Sequence, residues 1–130
     1  MRAILIVDHG SRRDASNRQL AELAAVVQAH APELCVGAAH MELAAPSVAQ
    51  GMAQLVAQGA TDVVVVPYML APGRHVTEDI PRLAREAARA HPSVRVSVSP
   101  CLGVHALLAQ LVVERVAEAK PLADGAGTGA

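Results

Sequence analysis

The stretch "DVVVVPYML" at residues 62–70 limits what this chain can become. Four consecutive valines leave no face for water, so a strand made from them must be covered on both sides. The run "AILIV", Ala3–Val7, has the same character, and segments with helical spacing separate such runs. Asp14–Ala31 carries Leu20, Leu23, Ala24 and Val27 on one stripe, with Asp14 or Ser16 placed to cap its start. Cys35–Leu43 reads as a second strand. "APSVAQGMAQLVAQG" then puts Pro46 in a first turn, Val48, Met52, Leu55 and Val56 on one face, and Gly59 at the stop.

After the third strand, Asp62–Leu70, Thr77 is placed to cap a helix whose first turn holds Glu78 and Asp79, charges that favour a helix N-terminus. Pro81 falls early enough to be tolerated, and the helix ends near His91-Pro92. Val94–Val98 is the fourth strand. Val104–Ala119 is the fourth helix, with Leu107, Leu108, Leu111 and Val112 expected to point inward. The alternation βαβαβαβα implies the α/β class, with a parallel sheet and helices on both faces. The length of 130 residues fits one domain, expected over 1–120, and the Gly-rich tail 121–130 is expected to be disordered.

Several function classes are disfavoured. The formal net charge is −1 with basic residues dispersed, and there is one Tyr and no Phe or Trp, so a base-stacking nucleic-acid surface is not expected. No apolar run approaches the ~20 residues of a membrane span, and "MRAILIV" flows into "DHGSRRD" without a small-residue cleavage site, so the expected location is the cytoplasm. Neither a GxGxxG nor a GxxxxGK[ST] cradle follows a strand, so no nucleotide cofactor, and no prosthetic group, is expected. Cys35 and Cys101 form no CxxC pair and read as buried thiols.

In a parallel sheet ligands bind beyond the carboxyl ends of the strands. His9 follows the first strand, Glu42 ends the second and His75 lies in the loop after the third; a strand order of 2-1-3-4 makes those strands neighbours. Two imidazoles and a carboxylate form a donor set for a divalent transition metal, although each histidine taken alone equally fits a loop hydrogen-bonding role. His40 shares the face of Glu42 and reads as a buried, hydrogen-bonded histidine. His30 and His91 read as structural residues at helix C-termini, and His105 as a surface residue. Arg12, Arg13 and Arg74 flank the key histidines, either solvated or placed to receive substrate carboxylates.

The segments "ILIVDHGSR", "HMELAAPSVAQGM" and "VVVVPYMLAPGRHVTEDIP" occur in that order. Together they resemble the sirohydrochlorin chelatases of the cobalamin and siroheme pathways, in their short single-lobe form. The resemblance implies a flavodoxin-like chelatase fold with a four-stranded sheet in the order 2-1-3-4. It implies ATP-independent insertion of Co²⁺, Fe²⁺ or Ni²⁺ into sirohydrochlorin or a related tetrapyrrole, the metal being a substrate. It assigns catalysis and metal binding to His9, Glu42 and His75. Substrate contacts are expected from Ser11, Arg12, Arg13, Met69, Leu70 and Arg74, with Tyr68 beside them. Larger relatives have two similar lobes in one chain, so a homodimer is expected here. The family usually has a small residue before the first histidine, where this chain has Asp8, placed to orient His9 or add a ligand. Two rival readings stand beside this one: a metal or tetrapyrrole carrier without insertion activity, and a phosphohistidine-type phosphatase, in which Asp8 would repel the phosphate.

Overall fold

Strand β1 (Arg2–Asp8) sends its side chains alternately into two cores. Ala3, Leu5 and Val7 point to one side of the sheet, and Ile4 and Ile6 to the other, as the two-residue period of a strand requires. The computed structural model describes residues 1–123. After β1 come α1 (Asp14–His30), β2 (Cys35–His40), α2 (Val48–Ala57), β3 (Asp62–Pro67), a π-helical turn (His75–Asp79) that runs into α3 (Ile80–Ala88), β4 (Arg95–Val98) and α4 (Ala106–Glu118). The strands are all parallel in the order β2-β1-β3-β4, so the α/β class and the 2-1-3-4 order are as expected.

The larger core joins β1 and β3 to α2 and α3 through Leu5, Val63, Val65, Met52, Leu55 and Ile80, while α1 covers the opposite face through Leu20 and Ala24. Gly51 lets α2 close on the sheet, since a Cβ there would lie 2.9 Å from Leu5 and 3.0 Å from Ala39. The Ser47–Gln50 capping box starts α2, with Pro46 just before the cap and not in the first turn. Helix α1 starts differently from expectation, because Arg13 is its N-cap and Asp14 its first residue. The turn before it is built by Ser11, whose Oγ accepts from the Arg13 N–H at 3.0 Å, and by Asn17, which holds both backbone groups of Ser11.

Two strands end sooner than the apolar runs do. β2 stops at His40 because the next residues turn: Met41 N–H donates to Asp8 O and Leu43 takes a positive φ of 69°. Glu42 therefore lies in the following loop. β3 stops at Pro67, which has no N–H to continue the ladder. Thr77 lies inside the π-helical turn, with its hydroxyl donating to Gly73 O, and does not cap α3. Cys35 and Cys101 are half-buried free thiols, not fully buried ones.

Helix α4 departs most from its expected packing. Leu107, Leu111 and Val112 are exposed, and none of its residues is buried. Residues 99–105 connect β4 to this helix, and its Leu108, Leu111, Val112 and Val116 border a cavity shared with His9 and His75. His105 is its N-cap, accepting the Leu107 N–H. Of the expected disordered tail, residues 121–123 have no regular structure and 124–130 lie outside the described residues.

Candidate functional site

The rim at the carboxyl ends of β1 and β3 brings His9 and His75 together. Their ring centroids are 4.8 Å apart and the planes are nearly perpendicular, at 88°. His9 is held by its chain neighbours: Asp8 closes β1, and Gly10 takes a φ of +89° that turns the backbone away from the sheet. That turn suits only glycine, because a Cβ at Gly10 would lie 1.8 Å from the carbonyl oxygen of Glu42. His75 opens the π-helical turn, and the Ile80 N–H closes the widened turn on His75 O. Its Nδ1 lies 3.0 Å from Asp79 Oδ2.

Both imidazoles border a cavity of about 1470 Å³ whose other walls are mostly apolar. Tyr68, Met69 and Leu70 form the floor after β3, Leu23 comes from α1, and Leu108, Leu111, Val112 and Val116 come from α4. Arg115 also borders this wall, paired with Glu118 at 2.7 Å. That hydrogen bond and the Glu118 charge hold the Arg115 guanidinium above its ordinary pKa.

The remaining candidates are spread around this pair. Glu42 is exposed in the loop after β2, its N–H donating to His9 O at 3.2 Å. Among the described residues no three His, Cys, Asp or Glu side chains converge on one point, so the rings meet each other and the Glu42 carboxylate does not join them. Met69 and Leu70 border the cavity; Ser11 and Arg12 border a separate groove of about 780 Å³ beside the edge strand β2. Arg13 and Arg74 are exposed and border neither, with Arg74 paired to Glu78 at 3.3 Å. Asp8 neither orients the His9 ring nor faces the cavity. Its Oδ1 lies 2.6 Å from His40 Nδ1 and 3.0 Å from Gly10 N, and His40 is buried and hydrogen-bonded, as expected.

Comparison with known proteins decides the lineage, since the family model described as CbiX matches residues 3–119. The chain belongs to the CbiX family. It is 42% identical over 113 residues to the chloroplastic sirohydrochlorin ferrochelatase of Arabidopsis thaliana, a match covering 87% of this chain and 50% of that protein. It is 33% identical over 123 residues to the sirohydrochlorin cobaltochelatase of Methanococcoides burtonii, covering 88% of this chain and 94% of that one. Among solved structures, SirB from Bacillus subtilis with Fe³⁺ superposes with a TM-score of 0.83 at 31% identity, over 92% of this chain and 48% of that chain. This CbiX-family chain thus spans about half the length of the Arabidopsis and Bacillus proteins and nearly all of the archaeal one.

Two features of this CbiX-family site escaped the reading of residues. Asp79 was legible as a helix-start charge, yet its i,i+4 spacing from His75 is also the spacing that lets two side chains meet on a helical surface. The α4 wall had a signal too, in apolar residues too numerous for a helix with a polar outer face.

Proposed function

We propose that this chain inserts a divalent metal ion, Co²⁺, Fe²⁺ or Ni²⁺, into sirohydrochlorin or a related tetrapyrrole without consuming a nucleotide. The observation that carries the reading is the pair of imidazoles 4.8 Å apart at the wall of a large apolar cavity. At about 1470 Å³ the space exceeds the ~300–1,000 Å³ of ordinary small-molecule pockets and suits a wide, flat macrocycle. The curated relatives named as sirohydrochlorin chelatases support the same substrate.

Metallation requires the ion to lose water and the macrocycle to lose two pyrrole N–H protons as metal–nitrogen bonds form. Neutral imidazole nitrogens are borderline donors that bind such ions and can release them to a stronger ligand. Asp79, with a carboxylate oxygen 3.0 Å from His75 Nδ1, places a negative charge beside that ring and so favours a cation there. Each ring can then accept a pyrrole proton and pass it to water, since both histidines are exposed. Glu42, on the adjoining loop, assists as a carboxylate donor. The apolar side chains Met69, Leu70, Leu108 and Leu111 carry the faces of the macrocycle, and Ser11, Arg12, Arg13 and Arg74 serve its carboxylate rim. The reading includes a cytoplasmic location; among the described residues no helix is long and apolar enough to cross a membrane.

The active species is a homodimer that pairs two copies of this lobe. Support comes from α4, where Leu107 and Val113 are each 69% exposed and do not border the cavity. Mixing protein, Co²⁺ and sirohydrochlorin and following the absorbance change tests the activity. The expected result is a rate well above the spontaneous one, abolished by His75→Ala in a chain that keeps its circular dichroism. Tight binding of both substrates at the spontaneous rate would establish a carrier instead.

A further inference from the structure

We infer that Asp8 and His40, which have no part in the chemistry above, are positioning residues that fix the Glu42 loop against the His9 turn and so set how tightly the site holds a divalent cation. The inference rests on the reading of His9 and His75 as the metal site.

Asp8 and His40 are the last residues of neighbouring strands and face each other in register. His40 is 4% exposed, the one buried polar side chain among the described residues. Its Nδ1–H donates to Asp8 Oδ1 at 2.6 Å, and the same oxygen accepts the Gly10 N–H at 3.0 Å. A single carboxylate oxygen therefore ties the end of β2 to the residue that follows His9. Two backbone bonds run alongside, Met41 N–H to Asp8 O at 2.9 Å and Glu42 N–H to His9 O at 3.2 Å. The approach is close enough that a Cβ on Gly10 would stand 3.2 Å from His40 Cβ. A third contact fixes His40 from behind, its own N–H donating to Pro46 O at 2.9 Å.

This arrangement is not explained by packing. An aliphatic side chain would fill the same space without the cost of desolvating an imidazole and a carboxylate. What the pair supplies beyond volume is direction, since a short charge-assisted hydrogen bond holds its partners at one distance and angle. At the exposed rim the two backbone bonds compete with water, so the side-chain tie decides whether the Glu42 loop keeps its place beside His9. Groups that orient a metal site from behind are typically worth about 10–100-fold in metal affinity.

The test is titration of the full chain with Co²⁺ alone, reading affinity by calorimetry and coordination by the visible d–d absorption. His40→Leu and Asp8→Ala are expected to weaken Co²⁺ binding by about 10-fold or more and to shift the d–d bands, with the helical circular dichroism retained. The double variant is expected to be no weaker than the weaker single one, because both remove one interaction. His40→Asn, whose amide nitrogen can replace Nδ1, is expected to recover most of the affinity. A folded His40→Leu chain with the affinity and spectrum of the parent overturns the inference. Where His40→Leu does not fold, Asp8→Asn against Asp8→Ala decides: retention by Asn and loss by Ala supports the tie, and equal affinities overturn it. A parent chain that binds no Co²⁺ overturns the proposed function together with this inference, whereas unaffected variants of a Co²⁺-binding parent overturn the inference alone.

Discussion

Helix α3 is amphipathic and helix α4 is apolar on most of its surface, and the molecule uses them in opposite ways. α3 buries Ile80, Ala84 and Ala87 against the sheet, whereas α4 buries nothing. The anchored helix carries the proposed metal ligand, because its π-helical entry contains His75 and Asp79. The unanchored one carries area, offering Leu108, Leu111, Val112 and Val116 to the cavity. The division has a physical basis. A ligating imidazole must be held to a fraction of an ångström, which needs a packed support, while a wall for a flat macrocycle tolerates displacement.

The largest effect is expected from Ile80→Ala. Emptying that fully buried position costs about 3 kcal/mol of stability, read as a lowered denaturant midpoint. If α4 is a surface and not part of the core, Leu107→Ala changes the same midpoint of the monomer by about 0.5 kcal/mol or less. A comparable loss at both positions would break the contrast. His75→Ala is next: metal insertion is expected to fall by about 100-fold or more while the midpoint stays near that of the parent, since the side chain is exposed. Asp79→Asn follows, with about a 10-fold loss in Co²⁺ affinity measured by calorimetry, because an amide removes the negative charge that stands 3.0 Å from His75 Nδ1. The smallest change in stability is expected from Leu107→Glu combined with Val113→Glu. Light scattering after gel filtration is expected to show the mass halved, with the fold intact; an unchanged mass places the dimer contact elsewhere on the molecule.

The three histidines nearest the rim show how far a single sequence can be read. His9, His40 and His75 all follow or end a strand, which is where a parallel sheet collects its ligands. Their uses diverge through partners distant along the chain. His40 meets Asp8 across the β1–β2 register and is buried, and His9 meets the ring of His75 from beyond β3. Sequence order pairs Asp8 with the histidine beside it, whereas its carboxylate reaches across to His40 on the next strand.

What the chain's own order of residues determined is local and periodic: which runs are strands, which stripes are helical faces, and that the strands lie parallel with their carboxyl ends gathered on one rim. Those properties follow from backbone geometry and from covering apolar surface, and they survive small errors in register. Only the folded molecule decided that Glu42 stands off from the two rings, that Asp79 lies 3.0 Å from His75, and that α4 buries none of its residues. Each of these depends on where one element ends against another, and a shift of one residue at a strand end redirects a side chain to the opposite face.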